Sequence, residues 1–108
     1  MTTNTQSADL IPEITERIVR AFHPEKIILF GSHARGDARA DSDIDLLVVL
    51  REVDNGRRAA AAVLDLLTDL IVPIDAIVAT PAEIERNGGR LGTVLRPALL
   101  EGKVLYAA

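Results

Sequence analysis

The chain has 108 residues, a formal net charge of −4 and a hydrophobic content of 48%. This size and composition predict one globular domain over residues 1–108 with an aliphatic core. Because the chain has no cysteine, disulfides, thiolate nucleophiles and zinc–thiolate sites are excluded. The acidic balance argues against direct binding to a nucleic-acid backbone, which needs a basic surface.

Residues 1–9 are polar, and we expect them to be disordered. They lack the basic and apolar regions of a signal peptide, and no apolar stretch of the chain reaches membrane-spanning length. These features predict a cytoplasmic protein that does not bind a membrane.

Hydrophobic spacing and turn residues divide the rest of the chain into helices and strands. Asp9 is the expected N-cap of the first helix, and Thr80 that of the helix after the third strand. The predicted elements are a helix over 10–22, strands over 26–30 and 43–50, a helix over 58–71, a strand over 74–79, helices from 81 and over 91–100, and an edge strand over 104–106. This order predicts an α/β (α+β) fold, a small mixed sheet with helices mainly on one face.

Two carboxylates stand where the second predicted strand begins. Asp43 and Asp45 are one strand repeat apart, so their side chains should project to the same side. Paired carboxylate oxygens suit Mg²⁺, with water and substrate phosphates as further ligands. Two solvated carboxylates are the weaker interpretation, because an apolar strand begins between them. A calcium loop starting at Asp41 is excluded, because its sixth position must be glycine and is Leu46 here.

Two further features carry potential chemistry. Asp75 lies inside the apolar third strand, where a lone carboxylate either faces solvent or has a functional role. Gly31 and Ser32 end the first strand, where backbone N–H groups and a hydroxyl can hold phosphate oxygens or form an ordinary turn. Residues 31–36 are not a Walker P-loop, because the Lys-Ser/Thr ending is missing.

Together these residues resemble a known signature. Gly31-Ser32, a ten-residue spacer and Asp43-x-Asp45 before an apolar strand are similar to the signature of polymerase-beta-type nucleotidyltransferases. The fuller runs, residues 31–36 and 41–48, resemble the minimal nucleotidyltransferases, small proteins encoded beside HEPN-domain toxins. The resemblance covers nearly the whole chain and implies the nucleotidyltransferase fold.

The resemblance also implies site residues and cofactors. The implied catalytic and metal-binding residues are Asp43, Asp45 and Asp75. Asp75 would be the third ligand and would help to activate the attacking hydroxyl. The implied nucleotide-binding residues are Gly31, Ser32 and Arg35, although Arg35 can equally pair with Asp37 or Asp41. Three carboxylates fit two Mg²⁺ ions, which Mn²⁺ can replace.

Three functions follow as hypotheses. The first is transfer of AMP from ATP to a protein hydroxyl, which the resemblance identifies as a tyrosine of a cognate HEPN toxin that the modification silences. The second is an antitoxin that masks its toxin without catalysis. The third is a small-molecule nucleotidyltransferase, whose pocket would need a dimer. The sequence leaves open whether the protein forms homo- or hetero-oligomers.

Three other residues have two interpretations each. His33 is expected to be either exposed or structural. Ser42 either shapes the loop before the second strand or contacts the nucleotide. Tyr106, in the predicted edge strand, is either a packing residue or an acceptor for self-modification.

Overall fold

The structure, a computed structural model, describes residues 7–87 and 95–108. A short 3-10 helix over Ser7–Leu10 comes first. The helices are α1 (Ile11–Phe22), α2 (Ser32–Arg35), α3 (Gly56–Asp65), α4 (Pro81–Asn87) and α5 (Leu95–Glu101), and the strands are β1 (Lys26–Phe30), β2 (Ile44–Val49), β3 (Ile74–Ala79) and β4 (Lys103–Ala107). Predicted residues 91–94 of the last helix lie outside the described ranges.

The described strands form one mixed sheet in the order β3-β2-β1-β4. Strand β2 pairs in parallel with β3, whereas β1 is antiparallel to both β2 and β4. Strand β4 lies at the edge, as predicted. The mixed sheet with its helices confirms the predicted fold class.

Strand alternation divides the core between the two faces of the sheet. Ile44, Leu46 and Val48 of β2 enter the larger cluster, which also contains buried side chains from α1, α2 and α3. Leu47 and Val49 enter a smaller cluster on the opposite face, with side chains from α4 and α5. Most of the helical layer is therefore on one face, as predicted, and the other face is more thinly covered.

One detail of the N-terminal prediction was wrong. Ser7–Leu10 form a 3-10 helix that leads directly into α1. Leu10 is the N-cap of α1, which has no side-chain cap bond, so Asp9 does not cap it. Since Asp9 lies within the 3-10 helix, the chain enters α1 with helical backbone angles already adopted.

Helix α3 is shorter and earlier than predicted. Asn55 caps it by accepting a hydrogen bond from Arg58 N–H, so the helix starts at Gly56. It ends at Asp65 rather than at the predicted residue 71, and Ile71 is 98% exposed. Arg17 of α1 donates a 3.4 Å hydrogen bond to the carbonyl of Leu66. After Asp65 the backbone bonds become shorter in range: Leu67 N–H donates to the Leu64 carbonyl and Leu70 N–H to the Leu67 carbonyl, both at 3.0 Å, so the segment continues as turns.

The predicted cap of α4 is confirmed. Thr80 Oγ1 accepts a hydrogen bond from Glu83 N–H, and Glu83 Oε1 accepts one from Thr80 N–H, both at 3.2 Å. This reciprocal pair is a capping box. None of the helices in the two described ranges is long and apolar enough to cross a membrane.

A matched pair of glycine substitutions tests the packing of α5 on the sheet. A Cβ at Gly102 would overlap the Ala98 carbonyl and the Ile28 side chain, whereas one at Gly56 meets only ordinary contact at 3.6 Å. We expect Gly102→Ala to lower the free energy of unfolding by about 1–3 kcal/mol. Gly56→Ala should leave it unchanged or raise it by up to about 1 kcal/mol. Urea unfolding of both variants measures the difference, and equal values would contradict the packing described here.

Candidate active site

The parallel register of β2 and β3 brings two predicted site residues side by side. Asp45 and Asp75 are direct partners across these strands. Asp45 alternates with Ile44 and Leu46, so its side chain is on the thinly covered face of the sheet. Asp75 is exposed and Asp45 is half-buried, which leaves this end of the sheet open to solvent.

The charge on Asp45 is disfavoured by its surroundings. Burial raises the pKa of Asp45 above its ordinary value, and the neighbouring carboxylates of Asp75 and Asp43 raise it further. Electrostatic interactions with His33 and Arg35 act on the pKa of Asp45 in the opposite direction. Asp43 is exposed and immediately precedes β2. All three predicted carboxylates are therefore close enough to interact electrostatically.

The backbone of Gly31 lies directly against Asp45. Gly31 has φ +75°, a conformation that residues with a Cβ rarely adopt, and a Cβ there would overlap the Oδ2 atom of Asp45. Phe30, the preceding residue, pairs with Asp45 across β1 and β2. Close backbone approach and positive φ therefore both require glycine at this position.

Helix α2 begins immediately after this glycine. Gly31 is its N-cap, and the carbonyl of Gly31 accepts hydrogen bonds from Ala34 N–H and Arg35 N–H at 3.1 and 3.0 Å. Ala34 is buried in the larger core cluster, which anchors the helix. Ser32 occupies the first helical position, so the predicted phosphate-binding pair is at the start of a fixed helical turn beside Asp45.

Arg35 forms surface ion pairs in this structure. Its side chain is 49% exposed and lies 3.4 Å from Asp37 Oδ2 and 4.0 Å from Glu101 Oε2. The pairing with Asp37 was one of the two interpretations of Arg35. The proximity of Glu101 was not visible in the sequence, because it depends on the packing of α5 against β1.

His33 and Ser42 take structural positions. His33 is half-buried, and its Nε2 is 3.2 Å from the Ser42 carbonyl oxygen. Ser42 Oγ accepts a 2.7 Å hydrogen bond from Arg39 N–H, so Ser42 shapes the loop before β2. The sequence pattern provided no signal for the bond between His33 and Ser42.

Tyr106 is remote from the carboxylates. It pairs with Ile27 in β1 and packs against the larger core cluster, on the face opposite Asp45. Of its two interpretations, the structure favours packing.

The donors at this site fit a hard cation in chemical type. They are carboxylate oxygens, and their mutual repulsion at Asp45 is what a bound cation would relieve. Within residues 7–87 and 95–108, however, no three His, Cys, Asp or Glu side chains are grouped so as to hold a metal ion. The carboxylates share an edge of the sheet without converging on one point.

The mixed sheet, the glycine turn and the carboxylates at one edge are features shared by nucleotidyl-transfer enzymes. Residues 11–106 match the family model described as Nucleotidyltransferase domain. The chain belongs to this family and is a nucleotidyltransferase, which confirms the resemblance seen in the sequence.

Three similar proteins extend this result. A Methanocaldococcus jannaschii protein described as a protein adenylyltransferase is 40% identical over 84 residues, which cover 76% of this chain and 78% of that protein. A Sulfolobus solfataricus structure described as a nucleotidyltransferase matches with TM-score 0.64 and 26% identity, over 91% of this chain and 78% of that one. A toxin–antitoxin structure with AMP-PNP matches with TM-score 0.63 and 26% identity, over 92% of this chain and 75% of that one.

The raised pKa of Asp45 predicts how stability depends on pH in the metal-free protein. The folded state retains a proton on Asp45 that the unfolded chain has released, so stability falls as pH rises from the ordinary Asp pKa to the raised value. The Asp45→Asn variant has no carboxyl group at this position, so this loss of stability with rising pH does not occur. At pH 7 the variant should therefore be more stable than wild type by up to about 1 kcal/mol, the scale of a partly screened charge contact.

Urea unfolding in EDTA between pH 3 and pH 8 measures this effect, with Asp54→Asn in an exposed turn as the control. The advantage of Asp45→Asn should shrink towards pH 3, where the carboxyl group is protonated in both states. An advantage that grew towards low pH would contradict the account.

Proposed function

We propose that this protein is a Mg²⁺-dependent adenylyltransferase that moves AMP from ATP to a hydroxyl group of a partner protein. The observation that carries the proposal is the half-buried Asp45, opposite Asp75 in register and in contact with the Gly31 backbone. A carboxylate held in repulsion with two others is costly unless it binds a cation. The adjacent start of α2 offers backbone and hydroxyl groups to a phosphate chain.

In this proposal the carboxylates divide the work. Asp43 and Asp45 hold the metal that accompanies the triphosphate, and Asp75 completes a second metal position. Mg²⁺, or Mn²⁺ in its place, would neutralise phosphate charge and lower the pKa of the attacking hydroxyl. Asp43 and Asp75 must turn towards Asp45 to do this, and both side chains are exposed and can rotate at small cost.

Gly31 and Ser32 bind and orient the nucleotide. Their backbone N–H groups and the Ser32 hydroxyl would donate hydrogen bonds to phosphate oxygens. Arg35 would exchange its exposed ion pair with Asp37 for the triphosphate, which is a stronger anion. An exposed ion pair is weak enough for this exchange, at about 0–1 kcal/mol.

The transfer itself is a displacement at phosphorus. The acceptor oxygen forms a bond to the α-phosphorus, and the bond from that phosphorus to the oxygen bridging to the β-phosphate breaks. Pyrophosphate leaves with the electron pair of that bond, and the proton of the acceptor hydroxyl passes to the Asp75 carboxylate. AMP is then attached to the acceptor through a phosphodiester.

The position of Tyr106 supports an acceptor on another molecule. The chain contains one tyrosine, and it packs on the face of the sheet opposite Asp45. Transfer to this tyrosine within one molecule would require the edge strand β4 to leave the sheet. If the acceptor is a tyrosine, a partner must therefore present it at the open end of the sheet.

We propose a cognate HEPN-domain toxin as this partner, with the modification silencing the toxin and this protein acting as its antitoxin. The similarity to a solved toxin–antitoxin complex that holds AMP-PNP supports this assignment. The similarity to the M. jannaschii protein supports AMP as the transferred group and protein as the acceptor.

Paired measurements on carboxylate variants test the division of roles. Asp43→Asn should weaken Mg·ATP binding and abolish transfer, because it removes a ligand of the metal that accompanies the triphosphate. Asp75→Asn should reduce the transfer rate by a factor of about 100 or more, the scale of a lost general base or metal position, with a smaller change in Mg·ATP affinity. Calorimetry gives the affinity, and mass spectrometry of the partner gives the rate. Transfer by Asp75→Asn at the wild-type rate would contradict its role.

The same variants separate catalysis from masking. Asp43→Asn should still bind the toxin in co-purification but should no longer protect cells that express it. Asp54→Asn, in an exposed turn, is the matched control and should protect like wild type. Full protection by Asp43→Asn would support an antitoxin that acts by binding alone.

A further inference from the structure

His33 connects the two segments that form the site. It is in α2, directly after the proposed phosphate-binding pair, and its Nε2 is 3.2 Å from the Ser42 carbonyl oxygen. Ser42 immediately precedes Asp43. A side chain of the nucleotide-binding helix is therefore bonded to the residue that precedes the first carboxylate.

We propose that His33 is a positioning residue that acts through Ser42 to hold Asp43 in place beside Asp45. This inference rests on the proposed function, since it assigns His33 a role in the alignment of the same carboxylates. It goes beyond that function because His33 would not contact nucleotide, metal or acceptor.

The loop before β2, to which His33 is bonded, contains a turn with two hydrogen bonds of its own. Ser42 N–H donates to the Arg39 carbonyl at 3.1 Å, and Arg39 N–H donates to Ser42 Oγ at 2.7 Å. Residues 39–42 therefore form a tight turn that can move as one unit. The bond from His33 ties this unit to α2.

Helix α2 is a firm anchor for that bond. Ala34, next to His33, is 5% exposed and belongs to the larger core cluster. The helix starts at Gly31, whose backbone is against Asp45. Because His33 is held close to Gly31 and Asp45, its bond to Ser42 fixes the position of the turn over residues 39–42. Asp43 follows this turn directly, so its position is fixed as well.

The chemistry of the bond defines the variants. A carbonyl oxygen only accepts, so Nε2 of His33 must carry the hydrogen. Glutamine can present an amide N–H at similar reach, whereas alanine cannot. His33→Gln should therefore retain the function that His33→Ala loses. His23, the other histidine, is exposed at the end of α1 and provides the control His23→Asn, because asparagine tolerates its left-handed conformation.

Hydrogen exchange tests the positioning without relying on activity. The N–H groups of Arg39 and Ser42 should exchange several-fold faster in His33→Ala than in wild type, while core strand amides stay unchanged. His33→Gln and His23→Asn should exchange like wild type. Unchanged exchange of Arg39 and Ser42 in His33→Ala would overturn the inference, whatever the enzyme does.

Kinetics gives the second test. His33→Ala should weaken Mg·ATP affinity several-fold and lower kcat for AMP transfer about tenfold, because it displaces Asp43, a proposed ligand of the metal that accompanies the triphosphate. His33→Gln should recover most of the rate. A wild-type rate in His33→Ala, or an equal loss of rate in His33→Ala and His33→Gln, would overturn the positioning role of His33. Either result would leave the proposed function standing. If wild type transfers no AMP, the proposed function fails, and the exchange experiment still decides the role of His33.

Discussion

The contact between the Gly31 backbone and the Asp45 carboxylate is the constraint around which the site is built. It places the end of β1 against the start of β2, where Phe30 and Asp45 are paired. The positive φ of Gly31 then turns the chain directly into α2. A bulkier residue would collide with the carboxylate and resist the turn. One small residue thus joins the turn proposed to bind phosphate to the strand that carries Asp45.

The uneven covering of the sheet makes the site accessible. Side chains from three helices pack on one face of β2 in the larger cluster. The strand is therefore fixed by packing along its whole length, from Ile44 onward. The opposite face has a smaller cluster, and the carboxylates lie on this face where β2 and β3 begin. In the metal-free state this arrangement disfavours the charged form of Asp45, which raises its pKa. Active sites commonly retain such costs, because the groups that react cannot all be neutralised by the fold.

Much of this arrangement could be predicted from local patterns. The bounds of β1 and β3 agree with the prediction. Alternation along β2 puts Asp45 on the face away from the larger cluster. Strand periodicity is a strong signal because a buried strand must be apolar at every inward position. The family resemblance also implies that Gly31 and Asp45 belong to one site, and in the structure their close approach leaves no room for a Cβ at Gly31.

The parts that failed depend on contacts between distant segments. Helix α3 gives way to turns where Arg17, far away in the chain, hydrogen-bonds to the Leu66 carbonyl and to Asp69. The bond from His33 to Ser42 likewise joins two segments whose approach is set by the glycine turn. Propensity and periodicity describe only neighbours in sequence, so neither bond leaves a pattern that can be recognised.

Three carboxylates and the glycine turn are proposed to form one site for metal and nucleotide. Crystals grown with Mn²⁺ and a non-hydrolysable ATP analogue test this site directly, because manganese is located by its anomalous scattering. We expect manganese to be bound by Asp43, Asp45 and Asp75, with the phosphate chain on the backbone of Gly31 and Ser32. Manganese and nucleotide bound elsewhere, with these carboxylates still apart, would contradict it.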